Sequence, residues 1–79
     1  MRVSVKLVGP LRRYYRGGPS TRWETAVLAD DAGVADLMTD YGIPGEKVHM
    51  IHVNRLKADR HHRLADGDQV WLIPLAAGG

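Results

Sequence analysis

An α+β fold, one mixed sheet with a single main helix laid across one of its faces, is predicted by three features of the sequence. Val3, Val5 and Leu7 alternate with Arg2, Ser4 and Lys6, the period of a strand with one buried face and one in water. Val34, Leu37, Met38 and Tyr41 fall at i, i+3, i+4 and i+7, which places them on one face of a helix. Near the C-terminus the turn signal Ala65 to Asp68 leads into the short apolar run Gln69 to Ile73, a second strand pattern.

Taken in order, strand one covers residues 2–8. Gly9 and Pro10 break it, and "LRRYYRGGPS" (11–20) holds turn residues with no sustained period, so it reads as a long loop. A second strand from about Trp23 to Leu28 closes a hairpin with the first. The helix begins after Asp30 and Asp31 and is stopped by Gly42 and Pro44. The β-branched run Val48 to Asn54 is a third strand, an irregular segment follows, and Gln69 to Ile73 is the last strand, ended by Pro74. In this order of elements the first and last strands pair in parallel with the helix packed across one face. That is the β-grasp, or ubiquitin-like, architecture, with a four- to five-stranded sheet. Residues 1–74 form the domain, and Leu75 to Gly79 form a C-terminal tail.

Composition bounds the chemistry. A chain of 79 residues buries only about 60% of its extended-chain surface, so function belongs at the surface or at an end. There is no cysteine, which excludes disulfides, thiolate metal sites and a cysteine nucleophile. No apolar run approaches the roughly 20 residues of a membrane span, and Met1 leads directly into a strand pattern rather than a signal peptide. A soluble, cytoplasmic protein with no membrane partner is expected. The net charge of +2 is too small to imply nucleic acid unless it is concentrated somewhere.

The chain ends "LIPLAAGG", and here a resemblance enters. The pair "VN" (53–54), a variable stretch, "LADGDQVWLIP" (64–74) and a terminal "GG" resemble the ThiS/MoaD family of ubiquitin-like sulfur carriers, which includes the small subunit of molybdopterin synthase. The resemblance runs from about Val34 to Gly79, while in the first third only the strand pattern agrees. Two residues depart from the family's pattern. Arg55 stands where the family commonly has glycine after the asparagine, and Leu75 stands where it often has a second proline.

The resemblance implies that the reactive group is the C-terminal carboxylate of Gly79. A partner enzyme, an E1-like adenylating enzyme of the MoeB/ThiF type, would join it to AMP from ATP. Sulfur from a persulfide donor would then displace AMP and leave a thiocarboxylate. The carrier itself would bind no cofactor and catalyse nothing. As a molybdopterin synthase-like subunit it would insert its tail into a larger synthase subunit that supplies the active-site residues. Molybdopterin, or its tungsten counterpart, is the first choice of pathway, and thiazole or another sulfur metabolite the next. The tail suits this chemistry physically. The residues Leu75, Ala76, Ala77, Gly78 and Gly79 reach at most about 17 Å when extended. The alanines keep the approach slim, and Gly78 and Gly79, lacking Cβ, can come close to a nucleotide.

Carriers also need a docking face. With Ile51 and Val53 turned into the core, Met50 and His52 lie on the opposite face of strand three, and Trp71 and Ile73 take the outward positions of the last strand. These four, with Pro74 and the tail residues Leu75, Ala76 and Ala77, would be the partner-binding set. A slip of one residue in strand phase would bury the four instead.

Other signals weigh less. "RRYYR" (12–16) interleaves base and aromatic, but three arginines in one loop more often form a solvated turn or meet an acidic protein surface than bind nucleic acid. His49, His52, His61 and His62 have no ligand spacing, so no metal is expected. Asp66 and Asp68 around Gly67 are turn formers, Gly17 and Gly18 a flexible turn, and Trp23 a hairpin packing residue. Two alternatives stand beside the carrier: a protein modifier whose activated Gly79 is joined to lysines, and a non-catalytic interaction domain.

Overall fold

A computed structural model describes residues 1–19 and 22–75. Five strands, β1 (Arg2–Leu7), β2 (Glu24–Val27), β3 (Met50–Val53), β4 (Leu56–Ala58) and β5 (Gln69–Ile73), form one sheet in the order β2-β1-β5-β3-β4. Helix α1 (Val34–Asp40) and two 3₁₀ segments, η1 (Gly9–Tyr14) and η2 (Gly45–Lys47), complete the elements. β1 and β5 run parallel at the centre, and every other pairing is antiparallel. This is the β-grasp arrangement that the alternation of periods predicts.

The alternation decides which face is buried. Val3, Val5 and Leu7 of β1, Val70 and Leu72 of β5, and Ile51 and Val53 of β3 all point to the side covered by α1, where they meet Val34, Leu37, Met38 and Tyr41. Leu11, Tyr15, Ile43 and Leu64 close the rim of this core. Burying a Leu or Val side chain of this kind contributes about 1.5–3 kcal/mol, so the face assignment outweighs any single polar contact on the surface.

Both ends of α1 are locally specified. At its start the Asp36 carboxylate accepts the Gly33 N–H at 2.8 Å, while the Val34 and Ala35 N–H groups donate to the carbonyls of His62 and Arg60. The segment before β5 therefore caps the helix and approaches it closely, since a Cβ at Gly33 would stand 3.0 Å from the His62 carbonyl oxygen and require that backbone to shift. At its end Gly42 adopts φ +68°, and the N–H groups of Gly42 and Ile43 return to the carbonyls of Thr39 and Met38, a Schellman closure.

Three local expectations change. The stretch read as a loop after strand one begins as the 3₁₀ segment η1, because Pro10 presets the first turn and Leu11 is buried beneath it. Tyr15 then ties the loop down, its hydroxyl accepting the Leu7 N–H and donating to the Arg22 carbonyl. The segment after Asn54, read as irregular, contains β4, which a two-residue turn folds back on β3 so that Val53 pairs with Leu56. The strands themselves are shorter at their ends than the sequence pattern suggests, β2 beginning at Glu24 rather than Trp23 and β3 at Met50 rather than Val48.

The remaining turns account for residues that had invited chemistry. Asp66 accepts the Arg2 N–H at 2.7 Å, Asp68 accepts the Ala65 N–H at 2.8 Å, and Gly67 between them has φ +86°. Their carboxylates are therefore occupied in closing the turn into β5.

Candidate functional site

The face of the sheet away from α1 carries the candidate docking residues. Cross-strand register pairs Met50 with Ile73 and His52 with Trp71, and on the other side of β5 it pairs Lys6 with Trp71. All five side chains are half-buried and alternate with core residues, so the strand phase is the one in which Ile51 and Val53 face inward. Pro74 follows directly and packs beside Gly9, whose φ is +56° and whose absent Cβ would lie 3.5 Å from the Pro74 Cγ. Leu75 is exposed at 64%. Ala76, Ala77, Gly78 and Gly79 lie outside the described residues.

Two residues join this face that the sequence reading placed elsewhere or passed over. Trp23, expected as hairpin packing, is 38% exposed and meets Trp71 edge to face, ring centroids 5.5 Å apart at 89°. Lys6 holds its ammonium 5.1 Å from the Trp71 ring and 5.6 Å from the Trp23 ring. The signal for Trp23 was available: Ala26 and Leu28 are the buried positions of the second strand, so 23, 25 and 27 share its outer face. Lys6 needed the β1–β5 register, which local sequence does not carry. Together Trp23, Trp71, Ile73 and His52 line a shallow depression with Arg55 and Gln69 at its edge.

On the opposite side the loop after η1 is locked by Glu24. Its carboxylate accepts N–H groups from Arg16 at 3.1 Å and Gly17 at 3.0 Å and the Tyr41 hydroxyl at 2.7 Å. Burial by itself would raise the pKa of Glu24, but these donors and the Arg16 charge together hold it below the ordinary carboxylate value. Burial first, and then the bond to Glu24, push Tyr41 far above an ordinary phenol. Arg16 also stacks over the Tyr41 ring at 4.4 Å and reaches the Asp40 carbonyl at 3.1 Å. The cluster is a clamp between loop and helix, with every group partnered. Among the described residues no group of three His, Asp or Glu side chains is placed to hold a metal ion, and no helix is long and apolar enough to cross a membrane.

A five-stranded mixed sheet with one main helix on one face and aromatic residues on the other defines a small ubiquitin-like β-grasp protein. The profile of the ThiS family matches residues 5–79, and the chain belongs to that family. Its members are small non-catalytic carrier subunits, and this chain is accordingly no enzyme. Among solved structures it is similar to a Pyrococcus furiosus protein described as molybdopterin converting factor subunit 1, with 24% identity, TM-score 0.72, and 96% of this chain and 99% of that chain covered. SAMP1 from Haloferax volcanii is similar at 18% identity and TM-score 0.70, each chain covered in full. A chain from the complex of subunits 1 and 2 of molybdopterin-converting factor from Helicobacter pylori is similar at 26% identity and TM-score 0.60, again with full coverage of both. No curated protein matches the sequence significantly.

Proposed function

We propose that this chain is a sulfur carrier whose terminal Gly79 is activated as an acyl-adenylate and converted to a thiocarboxylate. The observation that carries the reading is the placement of the tail root. β5, the strand that leads into "PLAAGG", lies at the sheet centre between β1 and β3, and its outward side chains Trp71 and Ile73 sit next to the point where the chain leaves. A partner that grips this face receives the C-terminus at a defined position.

In the proposed cycle the Gly79 carboxylate attacks the α-phosphate of ATP on an E1-like enzyme and pyrophosphate leaves. A persulfide sulfur then displaces AMP to give an acyl disulfide, and a thiol reduces that disulfide, freeing the thiocarboxylate. ATP is bound by the activating enzyme and not by the carrier. The sulfur passes to a biosynthetic acceptor in the cytoplasm. Similarity to a chain of the Helicobacter pylori complex of subunits 1 and 2 of molybdopterin-converting factor supports a larger synthase subunit as the receiving partner and a molybdopterin-type product, with the tungsten counterpart as its variant in this reading. Met50, His52, Trp71, Ile73 and Pro74 form the gripping face, and Leu75, Ala76 and Ala77 the slim stem.

Intact mass of the protein taken from its host, or co-expressed with its activating enzyme, tests the reading. A species heavier by the exchange of one oxygen for sulfur, localised to Gly79 and lost when Gly79 is deleted, is the expected result. Unmodified carboxylate alone, despite a competent activating enzyme, ATP and sulfur donor, overturns it. High-mass adducts that persist in reducing, denaturing conditions would instead identify the lysine-conjugating modifier, a role that the similarity to SAMP1, also described as a small archaeal modifier protein, brings into the comparison.

A further inference from the structure

Charge is segregated along this chain. Residues 1–23 hold Arg2, Lys6, Arg12, Arg13, Arg16 and Arg22 and no acid, whereas every Asp and Glu lies from Glu24 onward. The fold brings the middle of that basic stretch to the tail root. The Val8 N–H donates to the Leu72 carbonyl at 3.2 Å, so η1 starts beside the end of β5. Arg13 and Tyr14 of η1 and Lys47 of η2 share one cleft with Pro74 and Leu75, while Lys6 and Arg12 line the adjoining depression beside Trp71.

Four cations thus surround the point where the chain leaves the sheet, with Glu46 as the acid in the same cleft. Among the described residues none of the four is in an ion pair: Arg12 donates to the Gly9 carbonyl, Arg13 lies 5.4 Å from the Tyr14 ring, and Lys6 faces the two tryptophans. Arg16 differs, its guanidinium lying 4.0 Å from the Asp40 carboxylate. Among the described residues Glu46 is the one acid lining these two depressions, so the collar carries a net positive charge.

We propose that this collar is a docking surface for a protein partner whose tail-accepting channel has a lip of Asp and Glu carboxylates. The proposal rests on the carrier reading, since it assumes a partner that receives the tail. A protein lip fits better than a phosphate backbone because the cations are set around apolar Pro10, Pro74 and Leu75, which nucleic acid would leave uncovered. Opposite charge at such a mouth raises the rate of encounter and orients the tail before short-range contacts form.

The test is the full chain with Arg12→Glu, Arg13→Glu and Lys47→Glu combined, assayed as substrate of its host's adenylating enzyme across carrier and salt concentrations. The three side chains are exposed, so the fold is retained, and a thermal melt checks this. The expected result at low salt is a KM raised about tenfold or more with kcat within about twofold, the difference closing toward about 1 M salt. Arg63→Glu, a single exposed reversal on the segment that pairs with Gly33, is the charge control and leaves KM within about twofold. A triple variant whose KM matches the control, or whose defect ignores salt, overturns the proposal while leaving the carrier reading intact. Loss of retention of the host's transfer RNA on filters, with KM unchanged, also overturns it and assigns the collar to nucleic acid. A wild-type chain that is never adenylated removes both readings together.

Discussion

Arg55→Gly should make this protein more stable. The β3–β4 connection is a two-residue loop in which Asn54 has φ 52° and Arg55 has φ 70°, the left-handed pair of a type I′ hairpin turn. Asparagine suits its position, and here it is held further: its amide donates to Asp68 at 2.8 Å and accepts the Gln69 N–H at 2.9 Å. Arginine does not suit the next one. A side chain in the left-handed region costs about 1–2 kcal/mol, whereas glycine there costs only the extra unfolded-state entropy of about 0.5–1 kcal/mol. The net gain is about 0.5–1 kcal/mol. For a chain of this length that corresponds to roughly 3–6 °C in Tm. Thermal unfolding followed by circular dichroism reads it directly, with Arg55→Ala as the comparison, since alanine loses the guanidinium but keeps the strained backbone. If glycine gives no more than alanine, the backbone argument is wrong and the arginine side chain governs the turn.

The clamp and the docking face give the remaining expectations. Tyr41→Phe removes one donor to Glu24 and should cost about 1–2 kcal/mol in urea unfolding, and the Glu24 carboxyl resonance should titrate at higher pH than in wild type. Because Glu24 is held below the ordinary carboxylate value, its contribution is complete above that ordinary value and is lost as pH falls through the lowered native one. Glu24→Gln should therefore be less stable than wild type at neutral pH, and the gap should narrow in acid; parallel unfolding curves from neutral to acid would refute this. Trp71→Ala should lower kcat/KM for adenylation by about tenfold or more through KM, as expected for an aromatic anchor, and an unchanged KM in steady-state kinetics would remove Trp71 from the docking face.

The main outline of this fold was readable because its core is written in simple periods. Val3, Val5 and Leu7, the pair Ile51 and Val53, and the pair Val70 and Leu72 alternate cleanly, so the buried face and with it the outward positions of Met50, His52, Trp71 and Ile73 follow from counting by two. What escaped has physical reasons. η1 is a 3₁₀ segment with a single buried residue, Leu11, which leaves no periodic signal. β4 has only three residues and exposes Leu56, so it depends on the Asn54–Arg55 turn and not on its own pattern. Lys6, Trp23 and Trp71 meet through the parallel β1–β5 and antiparallel β1–β2 registers, contacts between residues far apart in sequence. The basic collar is invisible for the same reason, since only the docking of η1 against Pro74 brings its charges to the tail.

The position of β5 bears on how such a tail can be used. A reactive terminus is presented well only if the number of residues between its last anchored atom and the reacting carbon is fixed. Here the ladder holds to the end of the strand, the His49 N–H donating to the Ile73 carbonyl at 2.8 Å and β1 pairing the other side as far as Leu72. A C-terminal strand at a sheet edge would have one ladder instead of two and would open from its end. Doubling the length from the last anchored residue to Gly79 would lower the effective concentration of the carboxylate at a partner's site about threefold. It would also detach Trp71 and Ile73 from the sheet, because the proposed docking face and the tail root lie on the same strand. Placing that strand between two neighbours therefore protects grip and reach together, and any substitution that frays β5 should weaken both at once.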